Sequence, residues 1–269
     1  MSKRNKILLY ILLVFGLFVS FKLFIPKNNL NDYIKKNIGI EGRLFKEYVV
    51  FYPQHQDDEV LWGGSAIRRA INRLGADHVF VVLVSDGTGV NVFKDKIYKN
   101  TSRKEKEQLR DNEFYASLND LGINKENIII LADIDDKVGS HFDLMREVAL
   151  NFEDKYESVT HIAQSYKYDN HPMHRKNGKV IYDLYKEGKI KYAMFYLKPK
   201  YVEKVPVDKR VIYKAKKFKD YEAIVNACNE YKVINNEKGR RGIGYISSHE
   251  YFDHLLNDSD LTSFLHLPD

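Results

Sequence analysis

The chain has 269 residues, 44% of them hydrophobic, so it can bury one substantial core and does not need a second domain. Its 43 Lys and Arg residues exceed its 37 Asp and Glu residues, giving a formal net charge of +6. The two signs are mixed along the sequence, which is typical of a solvated surface and argues against a nucleic-acid-binding protein.

The first segment of the chain is apolar and predicts a membrane anchor. No charged residue occurs from Ile7 to Phe21, and Leu23 to Ile25 extend the apolar run past Lys22. A helix of this length nearly spans a hydrocarbon core. A cleaved signal peptide is the alternative, but no small-residue cleavage site follows the run. A buried globular helix fits less well, because the segment is apolar on all sides.

This anchor predicts the domain organisation and the location of the chain. We expect residues 1–27 to form the anchor, residues 28–45 a tether with a short helix, and residues 46–269 a catalytic domain. The short basic tail with Lys3, Arg4 and Lys6 favours a cytoplasmic N-terminus. The protein is therefore predicted to be a single-pass membrane protein whose catalytic domain lies outside the cytoplasm.

After the tether, short apolar runs alternate with segments of helical period. Buried strands are predicted at residues 47–52, 78–85, 127–132, 159–165 and 190–197, and helices at about 60–74, 102–121, 142–156 and 174–187. Strictly alternating strands and helices predict an α/β fold with a mostly parallel sheet and helices on both faces.

Polar residues follow each of the first four predicted strands. They are His55 to Glu59, Asp86 to Thr88, Asp133 to Asp136, and the segment Tyr168 to Arg175. Ligands of such sheets bind outside the carboxyl ends of the strands, so these four loops are expected to converge on one rim.

Two of these loops contain a combination of residues that predicts a catalytic metal. His55 and Asp58 are three residues apart at a strand-to-helix turn, and His174 offers a third ligand from a distant loop. Two imidazoles and one carboxylate leave a coordination position for water, as in catalytic zinc sites. Asp57 would then be a general base beside the metal, and His171 could donate to a developing oxyanion and help protonate the leaving group.

Other notable residues have simpler structural interpretations. Gly63 and Gly64 predict close packing of a helix on the sheet, because no phosphate-binding motif surrounds them. Trp62 is expected in the core or at the rim, with stacking on a sugar as the alternative. The remaining residues of this kind are Arg103 and Arg110, expected on a solvated helix face, and His161 and Cys228, expected in the core.

The segments "HQDDEVLWGG", "VSDGTG" and "HPMHR" resemble the PIG-L/LmbE-type N-acetylglucosamine deacetylases. The resemblance covers residues 49–175 and implies a Rossmann-like fold, a zinc ion and removal of acetyl groups from N-acetylglucosaminyl conjugates. It implies His55, Asp58 and His174 as metal ligands, Asp57 as general base and His171 as the histidine on the oxyanion side.

The chain departs from the family pattern at two positions. Gln56 replaces the usual proline, which is expected to loosen the turn while leaving the ligand spacing intact. Met173 replaces the usual aspartate, which removes a residue that could orient His171. Beyond Arg175 the resemblance is poor, and Asn236 to Phe252 is where substrate preference is expected to lie.

Together with this resemblance, the patterns predict a membrane-anchored deacetylase of an N-acetylated amino sugar in a cell-envelope glycan or glycolipid. The expected metal is zinc, although another divalent ion also suits the ligands. Two alternatives remain: a related amidase or esterase acting on another acyl group, and a glycan-binding protein with a weakened catalytic site.

Overall fold

The computed structural model describes residues 45–269 and the backbone of residues 40–41. The predicted anchor and most of the tether lie outside these residues. Over the part of the chain that is described, no helix has both the length and the apolar composition needed to cross a bilayer. Ile40–Glu41 form a short strand at the end of the predicted tether, where the extended backbone pairs with a sheet edge.

The described chain alternates strands and helices as predicted up to residue 197. The strands are β1 (Ile40–Glu41), β2 (Tyr48–Phe51), β3 (Val79–Leu83), β4 (Ile128–Ile130), β5 (Val159–Gln164), β6 (Ala193–Leu197), β7 (Arg210–Tyr213), β8 (Ile234–Asn235), β9 (Arg240–Arg241) and β10 (Ser263–His266). The helices are α1 (Asp58–Leu74), α2 (Arg103–Leu121), α3 (Phe142–Lys155), α4 (Pro172–Lys186), α5 (Phe218–Glu230) and α6 (Ile243–Leu256).

Eight strands form one mostly parallel sheet in the order β1-β7-β10-β6-β5-β2-β3-β4. The five strands from β4 to β6 are all parallel, with Val50 of β2 opposite Phe80 of β3 and His161 of β5. The predicted mostly parallel sheet is therefore confirmed. One strand departs from it, because β10 runs antiparallel between β6 and β7.

Helices cover both faces of this sheet. Alternate residues of β2 point to opposite cores: Val49 and Phe51 pack with α1, α2 and α5, whereas Val50 and Tyr52 pack with α3 and α4. Because the helices that follow β2 and β5 lie on opposite faces, the chain changes direction between these two strands. A crevice forms at their carboxyl ends, where doubly wound sheets bind ligands.

Close contacts hold α1 and α4 at the edges of this crevice. A Cβ atom on Gly63 of α1 would lie 2.7 Å from the Tyr196 ring, and one on Gly178 of α4 would lie 2.0 Å from the Gln164 carbonyl oxygen. The buried Asn177 accepts a hydrogen bond from the Gln164 backbone N and donates one to the Tyr52 carbonyl oxygen. These contacts fix the turns that follow β2 and β5 relative to each other.

Several structural interpretations of single residues are confirmed. Gly63 allows the predicted close packing on the sheet, against Tyr196 of β6, whereas Gly64 faces helix α5, where its Cβ would lie 3.2 Å from Ile224. Cys228 is fully buried in the core on the α1 side of the sheet. His161 is also buried, and its Nδ1 lies 2.9 Å from the Tyr52 hydroxyl.

Candidate active site

The turn between β2 and α1 aims two side chains at one point. The His55 backbone N donates to Asp58 Oδ2 at 2.9 Å, and the Asp58 backbone N donates to the His55 carbonyl oxygen at 3.2 Å. Trp62, one turn further along α1, donates from Nε1 to Asp58 Oδ1 at 2.7 Å. One Asp58 oxygen is thus held by the helix, and the other faces His55.

Asp57, between these residues, has a strained backbone. Its φ of 129° is unusual for a residue with a side chain and typically costs about 1–3 kcal/mol. Glu59 holds the strained peptide, because its Oε2 accepts from the Asp57 backbone N at 3.0 Å. Its other oxygen accepts from the hydroxyls of Ser117 and Tyr231, so α2 and the segment after α5 fix the turn from behind.

The turn after β5 brings His174 to the same point. His174 Nε2 lies 3.2 Å from His55 Nδ1 and 3.3 Å from Asp58 Oδ2, and His55 Nδ1 lies 3.4 Å from Asp58 Oδ2. Two nitrogens and one carboxylate oxygen therefore form a nearly equilateral triangle. The three residues that the sequence predicts as a ligand set are brought together across 119 positions of the chain.

The dimensions of this triangle fit a zinc ion. Zinc binds imidazole nitrogen at about 2.0–2.1 Å and carboxylate oxygen at about 2.0–2.2 Å, so the ligand atoms of a tetrahedral site lie about 3.4 Å apart. The three observed separations lie close to this value. Two imidazoles and one carboxylate also match the donor set of catalytic zinc sites that keep one position for water.

The close spacing of the three side chains in the triangle shifts the pKa values of Asp58 and His174. Burial opposes ionisation of Asp58, but the neighbouring rings of His174 and His55 hold the pKa of this carboxyl well below its usual range. Burial by itself would lower the pKa of His174, but the carboxylates of Asp58 and Asp169 outweigh this effect and raise the pKa to about 9. A coordinating imidazole is neutral, so cation binding must release this proton.

Asp169 orients His174 from the side away from the triangle. Asp169 Oδ2 lies 2.8 Å from His174 Nδ1, and Oδ1 accepts from the His171 backbone N at 2.8 Å. Burial raises the pKa of Asp169, but His174 and Lys198 lower it to about 2. Asp169 is not among the residues predicted from the sequence, although it lies five positions before His174 and is the nearest carboxylate in that loop.

Replacing Asp169 with Asn is expected to weaken zinc binding about 10–100-fold, because an amide holds the His174 ring less firmly than a carboxylate does. Competition against a chromophoric chelator measures this affinity. Asp183→Asn is the matched control, since this exposed carboxylate on α4 pairs only with Lys179 among its described ion pairs. Equal zinc affinities of Asp169→Asn and the control would contradict the orienting role.

His171 lies beside the triangle, with its ring near those of His55 and His174. The rings of His55, His171 and His174 offer three nitrogens within 4.8 Å of one another. These three imidazoles are therefore an alternative ligand set, with larger separations between the ligand atoms than in the triangle. His171 Nδ1 is buried without a hydrogen-bond partner in the described part of the chain. Burial, followed by the charges of His174 and His55, lowers the pKa of His171 to about 4. The ring is therefore neutral near pH 7 and can donate one hydrogen bond.

The side chain of Asp57 is surrounded by groups that orient it. Asp57 Oδ2 lies 3.3 Å from Arg110 Nη2 and 3.4 Å from the Ser248 hydroxyl. Burial, with the nearby Asp58 and Glu59 carboxylates, raises the pKa of Asp57 to about 8 despite the opposing charge of Arg110. A carboxyl with a pKa near neutrality suits proton transfer in both directions.

The expectation of a solvated helix face is wrong for Arg110. Its side chain is 2% exposed and donates to the Gln56 carbonyl oxygen as well as to Asp57 and Glu113. The strongly charged sequence of α2 conceals this burial, because charged residues occur on all sides of the helix. Arg103 is partly exposed, and its Nε lies 2.7 Å from Glu107 Oε1, one turn further along α2.

Gln56 tightens the turn rather than loosening it. Its side chain is fully buried and donates from Nε2 to Asp111 Oδ1 at 2.9 Å, while its carbonyl oxygen accepts from Arg110. Gly87 gives it room, since a Cβ there would lie 2.2 Å from the Gln56 Oε1. A proline could not make the side-chain contact, so α2 holds this turn in a way that the sequence does not reveal.

A cavity of about 610 Å³ opens above the triangle. Its lining includes the predicted loops after β2, β3 and β5, with Asp86 and Gly87 after β3. The loop after β4 also reaches the cavity, but through Gly139 and Ser140, so the prediction is wrong for Asp133 to Asp136. Asp133 and Asp136 lie near Lys104 and Arg103 of α2 instead. Their charges pair with that helix, which draws them away from the rim.

The second half of the chain completes the cavity wall. Lys198 follows β6, and Ser247, Ser248 and Tyr251 come from α6. Part of this wall lies within residues 236–252, the segment where substrate preference is expected from the sequence. Trp62 also lines the cavity and is 5% exposed, which agrees with the expected core or rim position.

No protein-family profile matches the sequence, and no curated protein sequence matches it. Solved structures are similar in fold. N,N'-diacetylchitobiose deacetylase from Pyrococcus horikoshii, in complex with its inhibitor MPG, has a TM-score of 0.53 at 14% identity, covering 86% of each chain. The A40926 pseudoaglycone deacetylase Dbv21 has a TM-score of 0.52 at 14% identity, covering 82% of this chain and 96% of that one.

A third similar structure is the zinc-inhibited form of the teicoplanin deacetylase Orf2. Its TM-score is 0.50 at 11% identity, covering 81% of this chain and 97% of the other. At such identities the similarity establishes a shared fold. The fold implied by the resemblance to PIG-L/LmbE-type deacetylases is thus supported.

Proposed function

We propose that this chain is a zinc-dependent hydrolase that removes the acetyl group from an N-acetylated amino sugar of the N-acetylglucosamine type. The observation that carries the proposal is the triangle of His55, Asp58 and His174, with sides of 3.2–3.4 Å, beside the buried carboxyl of Asp57. The similar solved structures described above support the substrate class, since they are deacetylases, one of them an N,N'-diacetylchitobiose deacetylase.

The proposed roles follow from the positions of the side chains. His55, Asp58 and His174 would hold the zinc ion, which when bound would polarise the acetyl carbonyl and make water more acidic. Asp57 removes a proton from the attacking water, and Arg110 with Ser248 keeps its carboxylate aimed at that proton.

Proton balance assigns a second step to Asp57. The attacking water adds to the acetyl carbon, the C–N bond then breaks, and Asp57 returns its proton to the departing amine. Acetate and a free amino sugar are the products. The neutral ring of His171 donates one hydrogen bond to the acetyl oxygen as negative charge develops there. Asp57 is thus the proposed source of the amine proton, and the expected help of His171 in protonating the leaving group stays a prediction.

We also propose the cellular setting that the sequence predicts. The substrate would be a cell-envelope glycan or glycolipid, and residues 1–27 would anchor residues 46–269 to the membrane, outside the cytoplasm. Removal of acetyl groups would leave cationic amines on that polymer. The mixed charge pattern of the chain supports a glycan rather than a nucleic acid as partner.

Metal analysis of the purified full chain, combined with acetate release, tests this function. About one zinc ion per chain and acetate release from at least one of free N-acetylglucosamine, an N-acetylglucosaminyl phospholipid and peptidoglycan fragments are expected. Chelation should stop the release and added zinc should restore it. Faster cleavage of another amide or an ester by the zinc-loaded chain would favour the related hydrolase instead.

One observation favours a second function, a glycan-binding protein with weakened chemistry. His171 Nδ1 has no hydrogen-bond partner among the described residues, and Met173 stands where the family that the sequence resembles has an aspartate. A chain of this kind would bind N-acetylated sugars measurably but release no acetate from any of them when loaded with zinc.

A further inference from the structure

Lys198 places a buried positive charge in the cavity wall. It follows β6 directly and is 7% exposed, yet it lines the cavity. Its Nζ lies 3.2 Å from Asp169 Oδ1, and it is 5.4 Å from the Trp62 ring centroid and 5.6 Å from that of Tyr251. An ammonium group has three N–H donors, and one ion pair engages only part of them.

The carboxylate opposite Lys198 is shared with other donors. Asp169 also holds His174 Nδ1 and the His171 backbone N, each at 2.8 Å. A single negative charge divided among three donors neutralises the ammonium incompletely. The aromatic rings on its other side attract the cation but accept no conventional hydrogen bond from it.

Two further lysines continue outward from Lys198 along the 3₁₀ segment Pro199–Lys204. Lys200 Nζ lies 5.1 Å from the Tyr201 ring and 5.9 Å from the Tyr251 ring, and Lys204 Nζ lies 4.8 Å from the Tyr201 ring. We call Lys198, Lys200 and Lys204 the lysine stripe. It leads from the cavity wall to the exposed surface.

The negative charge of this segment is directed away from the stripe. Glu203 lies 3.4 Å from Arg210 of β7. Lys200 and Lys204 thus lie against aromatic rings, and Lys198 lies between such rings and the shared Asp169 carboxylate, so all three can still contact an oxyanion. Stacked aromatic and cationic groups of this kind suit a sugar chain that carries negative charge.

We infer that the substrate carries an oxyanion, a phosphodiester or a carboxylate, next to the acetylated sugar, and that Lys198 and Lys200 bind it. This inference rests on the proposed function and narrows its substrate class. Lys198 would contact the oxyanion inside the cavity. At the mouth of the cavity, Lys200 would contact the same oxyanion or the next oxyanion of the polymer. Lys204 would extend the positive field toward the rest of the polymer.

Binding measurements test the inference without requiring turnover. The probes are methyl N-acetylglucosaminide as the neutral sugar, its 1-phosphodiester analogue, and N-acetylmuramic acid, whose lactyl group is a carboxylate. Calorimetry with the zinc-loaded full chain carrying Asp57→Asn gives the three Kd values. We expect at least one anionic probe to bind about tenfold tighter than the neutral one, the effect of one hydrogen bond between charged groups. The anionic probe that binds more tightly shows whether the oxyanion is a phosphodiester or a carboxylate.

Lysine variants of the Asp57→Asn chain show whether the lysine stripe or the metal causes the preference for an anionic probe. Lys198→Met and Lys200→Met should each reduce it by several fold, and Lys198→Arg should retain most of it. Lys179→Met, a control on α4 where the lysine pairs with Asp183, should leave it unchanged. Zinc content is measured for each variant, because Lys198 also contacts Asp169. If Lys198→Met loses zinc, the exposed Lys200→Met decides the result.

Two outcomes would overturn the inference: no preference for either anionic probe, or a preference that survives in Lys200→Met and in zinc-loaded Lys198→Met. The proposed function fails separately. Absence of acetate release by the wild-type chain would refute deacetylation even where lysine-dependent binding of an oxyanion is measured. Acetate release without such a preference would refute only the role of the stripe.

Discussion

Replacing Asp57 with Asn is expected to reduce kcat by about 10²–10⁴-fold while leaving zinc content unchanged. An amide cannot take a proton from water or return one to the amine. The backbone should tolerate the change, because Asn is among the few side chains that adopt positive φ readily and Asp57 has a φ of 129°. Acetate release under saturating substrate, together with metal analysis, measures both quantities.

A second carboxylate in the same cavity provides the control for Asp57. Asp86 lines the cavity, but its oxygens accept from the backbone N atoms of Thr88 and Gly139 and not from the ligand residues. Asp86→Asn should therefore lower kcat much less than Asp57→Asn. Comparable turnover in the wild type and Asp57→Asn would remove Asp57 from the role of base.

Replacing His174 with Ala is expected to abolish stoichiometric zinc binding and, with it, acetate release. It removes one corner of the ligand triangle, so the loss of zinc affinity should exceed the about 10–100-fold typical of an orienting residue. Asp58 and Asp169 also lose the ring that both contact, at 3.3 Å and 2.8 Å. Dialysis against a zinc buffer followed by metal analysis measures the effect, and thermal unfolding shows whether the chain still folds.

His171→Ala discriminates between the two possible ligand sets. If His55, Asp58 and His174 bind the metal, His171→Ala should retain zinc and lose activity through the missing hydrogen bond to the acetyl oxygen. If the three imidazoles bind it, His171→Ala should lose zinc as His174→Ala does, and Asp58→Asn should retain it. The second pattern would show that the tighter triangle is not the metal site.

The sequence predicted the framework well where strands are buried on both faces. The strand from Tyr48 to Phe51 and the one from Val159 to Gln164 were both indicated by apolar runs, and their ends lie within a few residues of the predicted ones. Such strands must be apolar throughout because helices cover both sides of a parallel sheet. The antiparallel β10 was not predicted, since its pairing with β6 and β7 depends on residues far along the chain.

Among the site residues, the spacing within one turn predicts which side chains lie together, whereas the contacts of Arg110 and Ser248 with Asp57 have no such signal in the sequence. His55 and Asp58 share a turn, and the rule that parallel strands bind ligands at their carboxyl ends placed His174 beside them. The sequence of α2 predicts a solvated face for Arg110, because it shows which residues are charged but not which of them are buried. Ser248 contacts Asp57 across 191 positions, a relation that no local pattern contains.

By itself, the sequence determined the alternation of strands and helices, the turn that carries His55, Asp57 and Asp58, and the loop that carries His171 and His174. These features follow from local propensity and from the periodicity of burial. Only the tertiary structure decided that Asp169 orients His174, that Arg110 and Ser248 hold Asp57, and that Lys198 lies in the cavity wall. The physical reason is that a hydrogen bond or an ion pair depends on separation in space, which packing of the whole chain sets.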